Sequence, residues 1–260
     1  MLAALLGLLP LAGAAAAGPS GLGRMAVVPT STTAGSTNEL TFTYTADRAA
    51  LTGQTIVDVP RGWTLPQRTD PAAAGYVELK RGTCGPATRI ASISGRRLTV
   101  ATACKHRRGY QLLYHKATAP TIAADGYIFL TQTRRSGRKA KFRPLGRRRQ
   151  PVVKVRGSAA AGLGMTVTSI ATPGVAFTLT VRGVDRYGNN AFPYLGTVHL
   201  TSTDPHASLP GPYAYQPTDA AQHAFTGVIL RTAGTQRITA TDSNGFSFQS
   251  PPIAVSASAR

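Results

Sequence analysis

Residues 175–185 read VAFTLTVRGVD, and this stretch decides the fold class. Val175, Phe177, Leu179 and Val181 alternate with Ala176, Thr178, Thr180 and Arg182. A period of two places the two sets on opposite faces of an extended chain, with the apolar set turned to a core. LTFTYTA at 40–46 repeats the pattern, with Leu40, Phe42 and Tyr44 facing one way and Thr41, Thr43 and Thr45 the other. In GTVHLTS (196–202), inward Val198 and Leu200 turn His199 outward. Further strands are expected at 55–59, 75–80, 89–94, 97–103, 110–116, 127–133, 165–170, 223–230, 235–242 and 252–256. The composition agrees, being rich in Thr, Val, Gly and Pro and poor in Glu. β-branched residues fit a pleated surface, while Gly and Pro set turn dihedrals. No long stretch beyond the N-terminal segment carries apolar residues at helical spacing, so the class is all-β.

The spacing of these strands divides the 260 residues into two tandem β-sandwich domains, at 25–150 and 151–260. The basic stretch over 134–149 reads as the last strand of the first domain, Gln150-Pro151 as a short linker, and VVKVRG (152–157) as the first strand of the second domain. SAAAGLG (158–164) reads as small-residue punctuation at the start of that second domain. Six to seven strands in roughly 105 residues make the second domain an immunoglobulin-like sandwich. Trp63, in the Pro-bounded turn VPRGWTLPQ, is expected to cap one end of the first core.

The second domain also carries an ordered series of short motifs. These are Asp185 to Asn189, Tyr194 to Val198, Thr203 to Pro210, Tyr213 to Tyr215, Asp219 to Phe225 and Leu230 to Gln236. Over some 90 residues, within about 151–258, the series resembles the immunoglobulin-like repeat of bacterial cell-surface and secreted proteins. The first domain is similar, more loosely, to a β-rich module that precedes such repeats, through the residues near Thr33, the run 40–45 and Pro60-Arg-Gly-Trp63. The resemblance implies a fold and a surface setting. It does not imply one function, because such repeats serve as spacers, stalks and adhesive modules alike.

Export is expected from the N-terminus. MLAALLGLLPLAGAAAAG is apolar from Leu2 to Ala17, is too short to cross a bilayer comfortably, and ends in small residues. It reads as a signal peptide and leader over 1–24, although no basic residue precedes Arg24. No transmembrane helix is expected after its cleavage. The two cysteines fit an oxidising compartment. A hairpin turning near Ser94-Gly95 places residue 84 opposite residue 104, so Cys84 and Cys104 are expected to form a disulfide. No Leu-Pro-x-Thr-Gly sorting signal precedes Arg260, which leaves release, retention by charge, or membership of a longer repeat array.

Charge is lopsided, with 29 basic and 10 acidic residues giving a formal +19. No acidic residue lies between Asp125 and Asp185. Within that gap stand Arg134, Arg135, Arg138, Lys139, Lys141, Arg143, Arg147, Arg148 and Arg149. Three readings fit: a solvated loop and strand face, attachment to anionic cell-envelope polymers, glycans or headgroups, or nucleic acid binding. Aromatic interleaving is confined to Phe142, which disfavours a stacking platform for single strands, and an exported protein rarely meets DNA.

Catalytic patterns are missing: no G-x-S-x-G elbow, no phosphate loop, and no dinucleotide fingerprint. Asp185, Asn189, Asp204, His206, Asp219 and His223 all sit in or beside turns of the second domain. An Asp-x-x-Gly-Asn loop resembles calcium sites between sandwich domains, but turn chemistry accounts for the same residues. Two histidines without free cysteines make a poor zinc set. His106 and His115 are read as structural or solvated. The expectation is a non-enzymatic structural or adhesive surface module, without cofactor or metal, whose partners are other surface domains. The alternative is a polyanion-binding protein acting through 134–149, and a carbohydrate-binding accessory stands third.

Overall fold

The computed structural model describes residues 20–47 and 49–256. The apolar segment 2–17, which carries the export expectation, lies outside the described residues. Those residues fold as strands joined by turns, with single 3₁₀ turns at Arg147–Arg149 and Pro217–Asp219. The all-β class holds.

Two sheets enclose the first core. One runs in the order Arg24–Val28, Thr37–Thr45, Gly109–Thr118, Val77–Lys80; the other in the order Arg143–Pro144, Leu130–Arg135, Leu51–Asp58, Arg97–Cys104, Arg89–Ser94. The alternating residues Leu40, Phe42 and Tyr44 are buried, and they share one apolar cluster with Leu51, Val57, Leu98 and Val100 from the facing sheet. Trp63 is buried in this cluster, edge-on to Phe129 at 5.3 Å and to Tyr127 at 6.3 Å. Arg96 fixes its turn by donating to the carbonyls of Pro60 and Trp63.

The single strand expected at 127–133 is in fact two. Ala124–Ile128 pairs with Val152–Arg156, whereas Leu130–Arg135 pairs with Leu51–Asp58. The chain changes sheets at Phe129, whose side chain is fully buried and whose amide donates to the Pro151 carbonyl. Alternation cannot reveal such a switch, because the period of two continues through it.

A second apolar cluster gathers Leu163, Leu179, Val181, Val198, Leu200, Phe225, Val228, Ile238 and Ile253 with their neighbours. The contributing sheets run Ala160–Thr166, Ala176–Asp185, Gln222–Ile229; Ile170–Ala171, Ile253–Val255, Gly234–Gln236; and Tyr213–Ala214, Thr197–Ser202, Ile238–Asp242, Ser247–Gln249. As expected, Val198 and Leu200 are buried and His199 is exposed. Val175 departs from the expected face: it lies in the turn before the strand and is exposed.

Four further expectations need correction. Val152–Arg156, expected to lead into the second unit, pairs in parallel with Ser31–Thr33 and antiparallel with Ala124–Ile128, and its Val153 and Val155 lie in the first cluster. The small-residue segment 158–164 is not punctuation: Ala160–Thr166 is a strand paired with Ala176–Asp185. It runs beside the Arg182 and Val184 side chains, at ordinary van der Waals distance from where a Cβ at Gly164 would stand. Ser20 to Arg24, assigned to the leader, belong to the fold: the Gly21 amide donates to the Pro144 carbonyl, and the Tyr44 hydroxyl donates to the Leu22 carbonyl.

The fourth concerns the hairpin. The Cys84–Cys104 disulfide is present, with Cα atoms 4.4 Å apart, but not by the expected register. Ser94 faces Arg97 and Ile90 faces Val100, with a bulge between Ile90 and Ser92. Cys84 stands outside the ladder in a turn where the Gly85 amide donates to the Ala103 carbonyl. Bulge and turn together absorb the offset and return the two sulfurs to bonding distance.

A candidate anion-binding groove

The basic run is not one surface. Arg134 and Arg135 end a core strand, 136–142 form a loop pinned by Ser136 to the Thr52 carbonyl, and Arg143–Pro144 turns back to pair with Gln132 and Thr133. Arg147, Arg148 and Arg149 then occupy a separate exposed 3₁₀ turn. This path draws Arg134, Arg135, Lys139, Lys141 and Arg143 around one open groove of about 530 Å³, completed by Thr133, Ala140 and Ser20 to Leu22. Arg138 and the 147–149 turn do not line it.

The N-terminal wall is the part that sequence reading missed, because Ser20 to Leu22 were counted as leader. It is held by the Leu22 amide donating to the Thr133 hydroxyl at 2.7 Å. Gly21 is required there: a Cβ would lie 2.4 Å from the Arg143 carbonyl oxygen.

The basic groups differ in their engagements. Arg134 is half-buried, donates to Gln54 Oε1 at 2.9 Å and lies 4.7 Å from the centre of the Phe142 ring. Arg149 pairs with Asp47 at 2.7 Å. Among the described residues no acidic side chain forms an ion pair with Arg135, Lys139 or Lys141, all of which are exposed. Like charges held together without counter-charge repel, so the groove favours an anion and loses some stability in its absence. Lys and Arg stay protonated across the neutral range, and the preference therefore depends on salt far more than on pH.

The turn residues of the second unit do something else. Asp185 Oδ1 accepts from the amides of Tyr187 and Asn189, and its Oδ2 accepts from the Ser158 amide and from Asn189 Nδ2. Asn189 also ties the two halves together, accepting from the Ala123 amide and donating to the Thr121 carbonyl. Asp219 accepts from the Gln216 amide and the Tyr213 hydroxyl. His223 stacks on Tyr213 with ring centres 3.4 Å apart, while His106 and His206 are exposed. His115 was read as structural, and its partners are now visible: Nδ1 lies 2.6 Å from Glu39 and Nε2 lies 3.6 Å from Glu78. Turn hydrogen bonds thus engage both oxygens of Asp185 and the side-chain amide of Asn189. No group of three or more His, Cys, Asp or Glu placed to hold a metal ion is found among the described residues.

Asp204 is bonded almost as heavily as Asp185, taking the Thr232 hydroxyl and the amides of His206, Arg231 and Thr232. Burial acts to raise its pKa, but these donors outweigh burial and hold it well below the usual carboxylate range. Asp185 is lowered for the same reason, against the same opposing burial. A depressed folded-state pKa contributes stability above the unfolded value of about 4, and that stability is lost as pH falls below it. Asp204→Asn should therefore cost about 2 kcal/mol at pH 7, because buried donors lose acceptors, and much less at pH 2. Equal destabilisation at both pH values in urea titrations would refute this assignment.

Fold and site together define an all-β, disulfide-bonded protein with a cationic groove at the edge of its first unit. No family model matches the sequence, and no curated protein matches it. Among solved structures, the chain is similar to a Corynebacterium diphtheriae protein described as membrane-anchored, at 14% identity and a TM-score of 0.30. That likeness covers 90% of this chain and 53% of the other, so the chain spans about half the length of that structure. No helix among the described residues is long and apolar enough to cross a membrane.

Proposed function

We propose that this protein is an exported, non-enzymatic module of the bacterial cell surface, a structural or adhesive scaffold of two β-sandwiches with an immunoglobulin-like second unit. The observation that carries the reading is the Cys84–Cys104 disulfide within an all-β fold. Disulfides persist in oxidising compartments and are rare in the cytosol. The separate apolar clusters support the tandem arrangement, and the commitment of Asp185, Asp204 and Asp219 to turns supports a scaffold role. Expression of the full chain with its leader, followed by fractionation and intact-mass measurement, tests it. The expected product lies outside the cytoplasm, two mass units below the reduced chain. Cytoplasmic retention with two free thiols would sink the proposal.

The groove favours a second reading, a polyanion-binding protein. Replacing Lys139 and Lys141 with Ser should bring elution from heparin to lower salt, since each lost contact lowers the salt dependence. Replacing Arg147 and Arg148, which lie outside the groove, should shift it less. Identical elution of the groove variant and the parent would remove this reading.

A further inference from the structure

The groove has a property that narrows its ligand: a concentration of cations with no aromatic face on offer. Its lining is Arg, Lys and small or aliphatic residues, and no aromatic ring is among them. The aromatic of the run, Phe142, has the Arg134 guanidinium 4.7 Å from its ring centre, and Arg134 is held in place by Gln54. Proteins that take single-stranded nucleic acid combine a basic groove with rings on which bases stack. Sugar rings of polysaccharides likewise lie on aromatic faces. Neither finds a platform here.

What remains is an anion that presents charge without flat rings. Arg135 can offer paired donors that match a tetrahedral phosphate, and Lys139 and Lys141 act as point charges beside it. The site is an open groove and not an enclosed cavity or a flat face, which suits a chain laid in it better than a flat lipid surface. Ser20, Gly21 and Ala140 add little bulk to the lining, so a slender polymer can enter the groove. We infer that the groove binds a linear phosphodiester polymer of acyclic polyols, a polyol-phosphate chain of the cell envelope. This rests on the polyanion reading above and deepens it.

Binding of the disulfide-bonded protein to three fluorescent probes of matched charge tests the inference: poly(glycerol phosphate), a polyuronate and oligo-dT. The polyol phosphate should bind about tenfold more tightly than either other probe at moderate salt. Lys139→Ser with Lys141→Ser should weaken that binding about tenfold, as two charge contacts are lost. Arg134→Gln uncovers Phe142, so it should bring oligo-dT closer to the polyol phosphate. Equal or tighter binding of oligo-dT or the polyuronate, reduced by the lysine replacements, overturns the phosphodiester assignment and leaves a general polyanion site. An oligo-dT gap that Arg134→Gln leaves unchanged also overturns it. Binding of every probe that is indifferent to Lys139 and Lys141 overturns both readings.

Discussion

Phe129→Ala should lower the unfolding free energy by about 4 kcal/mol, as large aromatic truncations in packed cores do. Its ring is fully buried, 4.8 Å from Phe42 and 5.3 Å from Trp63 between centres. Its backbone is the point where the chain leaves one sheet and enters another, so the ring packs where Ala124–Ile128 ends and Leu130–Arg135 begins. The neighbours Val57, Leu98, Leu112 and Tyr114 belong to both main sheets and cannot all move inward to fill the space. Trp63 is the sole tryptophan, so its fluorescence reports on the site directly. Urea titration followed by that fluorescence should show an earlier midpoint with an unchanged slope. Phe129→Leu should cost far less. A loss under 2 kcal/mol for the alanine variant would mean that this crossing is not a fixed point of the core.

Removing the disulfide should cost about 3 kcal/mol. The bond joins residues 20 apart in sequence, and closing a loop of that size restricts the unfolded chain by this amount in the chain-entropy account. Cys104 is buried and lies opposite Leu51 at the end of a central ladder. A serine there would bury a hydroxyl, so paired Cys84→Ala and Cys104→Ala is the cleaner variant. The loss should equal the effect of reductant on the parent chain. If reductant changes the midpoint by less than 1 kcal/mol equivalent, the reduced chain is already restrained by the turn at Arg81 to Thr88. The disulfide would then carry little of the stability of the first unit.

The sequence by itself did not mark Arg24–Val28, Ser31–Thr33 or Ala160–Thr166 as strands, but it determined the all-β class, many of the strands and the Cys84–Cys104 pair. Each depends on signals confined to one segment: a period of two, turn residues at fixed places, and two cysteines 20 residues apart. The inward faces of 40–45 and 196–202 followed for the same reason, because alternation is a property of a single strand. The sequence also marked the basic run as unusual, because a gap in acidic residues is visible without a fold.

Only the tertiary structure decided which strands share a sheet. The sheet switch at Phe129, the pairing of Val152–Arg156 with Ser31–Thr33, and the pairing of Ala160–Thr166 with Ala176–Asp185 are choices among distant partners. A strand's own residues state which face is apolar but not which neighbour supplies the next row of hydrogen bonds. The groove shows the same limit. Five of nine basic residues meet around it through the local return from Leu130–Arg135 to Arg143–Pro144, but its other wall comes from Gly21 and Leu22, more than a hundred positions upstream, which bond to Pro144 and Thr133. Charge along a chain is local information, but a binding surface is built by contacts between segments far apart in that chain.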